Sequence, residues 1–559
     1  MIFLFLKKIN VIPKMLGVNS LLKKLLEARR KRTKLFMQEK LGKHVEKKMD
    51  PLKSIPISKS VEENVNLVRK ILGASDDLVV REFSVGAKEE VKVALLYIDG
   101  LTNSEVINDF ILKSLMFETR KGEPKAKQGK ISLCEKFSQF ALTIGEVSTA
   151  DNIKIAMNGL LAGDGILFID GSEKALIPNI KGWEKRGVEE PNTESVVRGP
   201  RDGFTETLRV NTAQIRRRLQ DPDLRVKNMT VGKRTNTNVA LIYIEGVANP
   251  DLIQEVERRI NNIDMDATLE SGYIEQMIED YHWSPFPQIQ NTERPDKATA
   301  NILEGRVVII VDGTPFALIA PAVFTQFYQS PEDYYERFGI ATLIRFIRIA
   351  SMGIALLLPG MYIAFTSFHP EMIPSKLVIA MAAGRSTVPF PSIVEALLME
   401  VTMEILREAS VRLPGPIGPT IGIVGALVVG EAAVQAGIVS PIMVIIVALT
   451  TIGSFASPSY SAAIALRVLR FPIMIIASIF GLYGIMLAVI VIIIHLCSLK
   501  SFGVPYLTPF APRVFKDMKD TIILTPMYWM KERPSFLRTG DPVRKPDDDR
   551  PGSDPSPGK

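Results

Sequence analysis

The chain has 559 residues, 23% charged and 47% hydrophobic, a balance that reads as globular but is too long for one ordinary domain. The average conceals two parts: Ile349–Leu499 holds 12 charged residues, about 8% of its length, while the remainder is about 29% charged. One part suits water and the other lipid, which excludes a purely soluble enzyme, a disordered chain and a fibrous protein. The two cysteines, Cys134 and Cys497, exclude a disulfide framework and a multi-cysteine metal site.

Residues 1–55 form a basic N-terminal arm. Residues 1–50 carry 14 Lys/Arg against 4 Asp/Glu, so the net charge of +7 is local and the remaining chain sums to −3. Arg29-Arg30-Lys31-Arg32 suits an anionic partner, and Leu21, Leu22, Leu25 and Leu26 fit one apolar helical face beside it. A membrane-surface helix against lipid is one reading and a solvated arm the other. Nothing else in the chain supports nucleic-acid binding. Met1–Leu6 is too short for a secretory signal, and Lys7 and Lys8 follow it rather than precede it, so the soluble part is expected in the cytoplasm.

The next stretch is duplicated. Residues 93–103, VALLYIDGLTN, recur as VALIYIEGVAN at 239–249, an offset of 146. A second pair, LLAGDGILFIDG followed by ALIP and ILEGRVVIIVDG followed by ALIAP, recurs in the same order at an offset of 142. Each first block predicts a strand, an acid-Gly turn and a helix, with Asn103 or Ser104 capping the first copy and Asn249 with Pro250 the second. Each second block predicts helix, strand, turn at Asp170-Gly171 or Asp312-Gly313, and a short strand. The apolar runs are continuous, so the strands are expected to be buried on both faces. The fold class is therefore an α+β soluble N-terminal region of two duplicated α/β subdomains, 60–190 and 200–320, followed by an α-helical multi-pass membrane domain. Asp99, Glu245, Asp170 and Asp312 are turn residues rather than an acidic site, because glycine follows each and supplies positive φ.

No enzyme signature is found, although an absent motif does not by itself exclude enzyme chemistry. The four histidines are isolated, and HExxH, Walker A, GxSxG and kinase signatures are absent. No catalytic residue, metal or cofactor is expected.

The membrane domain is placed at 335–499 with four to five spans, and 500–559 is a polar tail. Ile349–Pro370 is long enough to span, and Arg337, Arg345 and Arg348 before it argue for a cytoplasmic N-terminal end. Leu413–Gly430 and Ala432–Leu466 supply further apolar runs, the latter with a turn near Gly437–Pro441, and Phe471–Leu499 reads as one long tilted span. Between them, Glu400, Glu404 and Glu408 share a helical face with Arg407, and Glu395 points nearly opposite. At about 2.5–3.5 kcal/mol per central charge, that face cannot meet lipid cheaply. It lies on the membrane surface, lines a water-filled cavity, or packs against another subunit. If the segment spans, Arg407, Arg412, Arg467 and Arg470 fall on the cytoplasmic side and the tail outside; if it does not, those arginines fall outside and the tail inside. Glu395, Glu400, Glu404, Arg407 and Glu431 are candidate pore-lining or subunit-interface residues, Glu431 being readable also as a helix-end carboxylate. Gly418, Gly422 and Gly425 are candidate helix-packing positions.

An ordered set of motifs carries a resemblance. It comprises Tyr97-Ile-Asp-Gly100, Arg198-Gly-Pro-Arg-Asp-Gly-Phe204, Ser284-Pro-Phe-Pro-Gln288, Glu293-Arg-Pro-Asp296 and Glu304-Gly-Arg306 with Val311-Asp-Gly313. In the membrane half it continues with Pro389-Phe-Pro391, Glu395, Leu413-Pro414, Ile421-Gly-Ile-Val-Gly425, Ala432–Gly437, Arg467 and Arg470. Over about residues 55–535 the chain resembles the A subunits of spore germination receptors, the GerA family of endospore-forming bacteria. The resemblance implies assembly with a transporter-like B subunit and a C-subunit lipoprotein in the spore inner membrane. It also implies a response to small nutrients that starts ion release, in the manner of a ligand-gated channel with A subunits forming a homo-oligomer. A secondary transporter and a non-conducting scaffold are the competing functions; too few spans and no inverted repeat count against the first.

Overall fold

The computed structural model describes residues 55–545 apart from 74, 86–90, 119–145, 183–189, 192 and 413–416. The basic arm, Cys134, Leu413-Pro414 and the end of the polar tail lie outside the described residues.

Two five-stranded sheets follow one another. In the first, α1 (Val61–Leu72) precedes β1 (Leu78–Val85), β2 (Val91–Ile98), a helical segment 104–118, β3 (Val147–Ala150), α2 (Ile153–Leu161), β4 (Ile166–Ile169) and β5 (Ala175–Pro178). In the second, α3 (Leu208–Arg218) precedes β6 (Leu224–Val231), β7 (Thr237–Ile244), α4 (Pro250–Asn261), α5 (Ser271–Ile278), β8 (Gln290–Thr292), α6 (Pro295–Glu304), β9 (Val307–Val311) and β10 (Ala317–Ala320). The strand orders β1-β2-β4-β5-β3 and β6-β7-β9-β10-β8 are the same, and every described pairing in them is antiparallel. Each sheet is covered on both faces. Ala94, Leu96 and Ile98 of β2 pack with α1 and α2, while Val93 and Leu95 pack with Ile107, Ile111 and Leu115. In the second sheet, Ala240 and Ile242 meet α3 and α6, and Val239 and Leu241 meet α4 and α5. Double coverage is why the strands carry uninterrupted apolar runs.

The repeat extends to the turns. Gly100, Gly171, Gly246 and Gly313 all have φ between 79° and 88°, where a Cβ is disfavoured. Asp170 and Asp312 do more than turn: each carboxylate accepts from the backbone N–H at the start of the first helix of its own copy, Val61 of α1 at 3.4 Å and Leu208 of α3 at 2.9 Å. Asn64 and Asn211, which carried no sequence signal, each fold back to bond the backbone six residues earlier, at Ser58 and Thr205.

The helical part comprises α7 (Phe338–Ser367), α8 (Ser375–Arg385), α9 (Ser392–Arg412), α10 (Ile417–Gln435), α11 (Pro441–Phe455) and α12 (Tyr460–Ser498). Among the described residues, α7 and α12 are the two helices long and apolar enough, by length and composition, to cross a membrane. The expected turn near Gly437 is present, with Gly437 at φ 66° and Ser440 capping α11. Two other boundaries correct the sequence reading. A break at 456–459, closed by the Ser459 cap of α12, divides Ala432–Leu466 again. Phe471–Leu499 is not one tilted span, because Gly481 (φ 62°, ψ −141°) interrupts it. The chain reverses there: a Cβ on Gly360 of α7 would lie 3.0 Å from Ile473 and 3.7 Å from Ile485, two residues that a straight helix would hold about 18 Å apart. Likewise Ala462 and Leu496 share one apolar cluster with Phe286 and Tyr506. The arms 460–480 and 482–498 are thus antiparallel, about 31 and 26 Å long. A side chain on Gly484 would approach the Ile476 carbonyl oxygen to 2.6 Å, so glycine lets the arms close at their turn.

Successive helices reverse direction. Ser367 at the end of α7 bonds Ser392 at the start of α9 at 2.7 Å; α9 then runs back toward the α/β region, α10 away from it, α11 back, and the first arm of α12 away again. The Gly481 reversal returns the chain to the α/β region. There Ser501 donates to Gln288 O at 2.7 Å, Tyr506 to Pro287 O at 2.7 Å and Arg533 to Leu303 O at 2.7 Å. The tail and the ion-pairing arginines therefore lie at the same end of the bundle, an outcome that neither sequence-based topology allowed.

Candidate functional site

The charges of the apolar half converge in two layers. On α9, residues 400, 404 and 407 share a face by helical spacing, and that face meets the first arm of α12. Arg470 Nη1 donates to Glu400 Oε2, with both side chains 1% exposed. Arg467 and Arg407 donate to the two oxygens of Glu404 at 3.1 and 3.2 Å, and Arg470 Nη2 lies 3.9 Å from the same carboxylate. Arg407 also donates to Ser454 on α11 at 3.2 Å and lies 5.0 Å from the Phe455 ring centroid. Three arginines thus surround two glutamates, tying α9, α11 and α12 together. Glu400 Oε1, Arg470 Nε and Arg470 Nη2 make no further hydrogen bond among the described residues.

The second layer is Glu395, fully buried on the other side of α9. It accepts from Arg385 Nε at 3.2 Å and from Ser440 N and Oγ at 3.2 and 2.9 Å. Ser440 is the N-cap of α11, so this carboxylate sits on the positive end of that helix. Tyr362 of α7 closes the layer at 3.1 Å from Ser440 Oγ.

The remaining candidates stand apart. Glu431 is exposed on α10 and accepts from Gln435 at 3.1 Å. Gly425 packs closely on α9, where a Cβ would lie 2.8 Å from Leu406. Gly418 and Gly422 belong to α10, but their packing lies outside the described residues. Among the described residues, no group of three or more His, Cys, Asp or Glu is placed to hold a metal.

Sequence reasoning missed a third cluster, at the junction of the two halves. Arg345 was read as a flanking charge, yet it is fully buried at the base of α7. Its Nε donates to Asp333 at 2.8 Å and its Nη1 to Asp520 of the tail at 2.7 Å. Arg348 joins Asp333 at 2.9 Å, and Tyr334 donates to Asp520 at 2.7 Å. Burial pushes the Tyr334 hydroxyl well above its ordinary range and raises the Asp520 carboxyl, which Arg345 opposes. The available signal was an arginine amid Phe338, Leu343, Phe346 and Ile347, which are exposed apolar residues; such a charge needs an inward partner.

The sequence profile described as Bacillus/Clostridium GerA spore germination protein matches residues 66–536. The chain belongs to the GerA family. It is similar to spore germination protein KA of Bacillus subtilis (strain 168), 46% identical over 495 residues, covering 89% of this chain and 90% of that protein. It is also similar to spore germination protein GerLA of Bacillus cereus, 44% identical over 494 residues, 88% of this chain and 99% of that one. A solved structure, the N-terminal domain of the A subunit of the Bacillus megaterium spore germinant receptor GerK3, is 38% identical, covers 48% of this chain and 97% of that one, and superposes with a TM-score of 0.38.

Two of the motifs that carried the GerA resemblance meet in space. Arg294, 1% exposed, donates to Glu194 O at 3.1 Å and Pro200 O at 2.9 Å while its Nη2 binds Asp296 at 2.8 Å. Phe204 N donates to Glu293 O at 2.7 Å, and Gln214 to Gly203 O at 3.1 Å. The 198–204 loop of this GerA chain is therefore stitched to the start of α6, and its chemistry is structural.

Proposed function

We propose that this GerA-family chain is the membrane subunit of a spore nutrient-germinant receptor, acting with a transporter-like B subunit and a C-subunit lipoprotein in the spore inner membrane. It responds to small nutrients through that assembly and starts ion release as a homo-oligomeric, ligand-gated ion channel. The helical part is multi-pass, with α7, α9, α10, α11 and both arms of α12 crossing. Six crossings leave the α/β region and the tail on one side, the cytoplasmic one. The observation that carries this reading is the family match along residues 66–536, which spans both halves of the chain.

The geometry supports a site for the gated step. The two charged layers make helix contacts that are costly to break in an apolar surrounding, and in the first an alternative partner is within reach, Glu404 lying 3.9 Å from Arg470. Within the first layer Glu404 stays 29% exposed, and Glu431 is exposed on α10 apart from both layers. In this reading they line the conduction path or meet a neighbouring copy, while Glu395, Glu400 and Arg407 hold that surface in place. Single-channel recording from the purified chain in planar bilayers, alone and with its partners, tests the reading. Cation currents that depend on this subunit are expected. Spores lacking the partner genes should lose the nutrient response; a full response without the partners, or no current from any assembly, would overturn it.

A further inference from the structure

The underside of the tail, beside the first turns of α7, presents apolar and basic side chains together. Leu524, bridged to Asp520, donates its N–H to Thr342 Oγ1 of α7 at 3.1 Å, which holds this part of the segment 513–529 at the level of the second helical turn. From that level upward α7 already shows apolar groups to its surroundings: Leu343 is 60% exposed and Phe346 61%. Ile523, next to Leu524, is 63% exposed at this level, and the same segment carries Phe515, 70% exposed, and Trp529, 52% exposed at the rim of the cleft between the tail and α6. Of its carboxylates, Asp520 is turned inward to Arg345 and Tyr334, and Asp517 accepts from Ser535 Oγ at 2.6 Å. Arg513 and Lys519 remain exposed, so the outward charge of the segment is positive.

Exposed aromatic and branched aliphatic side chains with cations beside them, in a segment held at the entry of an apolar helix through Leu524, match the chemistry of the headgroup layer rather than of bulk water. Anionic lipid adds an attraction to each cation near the surface. We infer that residues 513–529 are an interfacial anchor that seats the tail on an anionic bilayer surface. This rests on the reading of the helical part as membrane-spanning. The anchor has a mechanical consequence. The same segment holds Arg345 through Asp520, so the lipid surface, the base of α7 and the α/β region are tied at one point.

The test uses the full chain in vesicles of phosphatidylglycerol and phosphatidylcholine. The chain has three tryptophans, Trp183, Trp283 and Trp529, so Trp183→Phe/Trp283→Phe leaves Trp529 as the sole reporter. Its emission is expected to shift to the blue, to be quenched more by a nitroxide near the lipid headgroup than by one deep in the acyl chain, and to lose its response to aqueous iodide. Neutral vesicles should weaken all three effects. An iodide response unchanged from detergent-free peptide of the same segment overturns the inference. So does shielding from iodide without quenching by either lipid label, which would mean that a second protein surface covers the patch. Ile475→Trp with all three native tryptophans replaced by Phe is the control for spanning: deep-label quenching there with none at Trp529 rejects the anchor alone, and no deep-label quenching rejects the spanning reading. Should the tryptophan-poor background fail to fold, a nitroxide on Ile523→Cys, with both native cysteines replaced by Ser, reports the same contact. Oxygen collisions exceeding those of an aqueous nickel chelate are expected, and the reverse order overturns the inference.

Discussion

Replacing Glu400 by Gln removes one charge from a pair in which both side chains are 1% exposed. Arg470 then keeps its charge, with Glu404 at 3.9 Å as the nearest remaining carboxylate. Removing one partner of a buried pair costs about 3–5 kcal/mol. The neighbouring Glu404 places this case at the lower end, so about 3 kcal/mol is expected, a large part of the 5–15 kcal/mol that typically holds a folded chain. The reciprocal change, Arg470→Met, should cost at least as much, because Glu400 would be left with no cation in direct contact. Glu400→Leu/Arg470→Met removes both charges and should recover most of the loss, since two apolar groups need no partner. The assay is thermal unfolding of the detergent-purified subunit, with subunit level and ion release measured in spores. If the double variant is no more stable than either single one, the pairing argument is wrong. If it is restored in level and melting temperature yet releases no ions, the Glu400 carboxylate acts beyond packing. Normal release at normal level in both Glu400→Gln and Glu404→Gln would remove the conduction-path role.

Three further outcomes are expected. Glu275 on α5 is half-buried beside Glu279 and Glu270, and burial first, then their charges, push its carboxyl up to about 8. Its folded value lies above the ordinary 4.5, so its contribution is complete below that pH and is lost as pH rises toward 8; Glu275→Gln should therefore raise the melting temperature at pH 8 and leave it unchanged at pH 4, and equal shifts at both would refute the assignment. Arg294→Met should free the 198–204 loop, seen as faster tryptic cleavage after Arg198 and Arg201, which are 66% and 71% exposed; an unchanged digestion rate would count against the stitching. Gly481→Ala forces a Cβ into a backbone region that side chains rarely adopt, at 3.0 Å from Phe368, and should abolish accumulation of folded subunit, whereas Gly339→Ala, with open space around it, should be silent. Equal levels for the two variants would mean that the α12 reversal is dispensable.

The sequence alone determined the local structure of the α/β region. Val93–Ile98 and Val239–Ile244 are apolar runs closed by an acid and a glycine, and they occupy equivalent strands, second in each sheet order, because the signals for strand, turn and cap lie within a few residues of one another. It also isolated the apolar half and the charged face of α9, since an apolar composition and a helical period are local properties too. Only the tertiary structure decided what satisfies those charges. Arg470 lies 70 residues from Glu400, and Asp520 lies 175 from Arg345, so no spacing rule links them. The topology was decided the same way. Gly481 resembles any other glycine of an apolar helix until the residues packed around it are known, yet its positive φ turns one apparent span into two arms and brings the tail back to the α/β region. In water-facing segments a side chain's neighbours in sequence largely set its conformation; in an apolar bundle a charge is stable only where a distant partner meets it, and that meeting is a property of the whole fold.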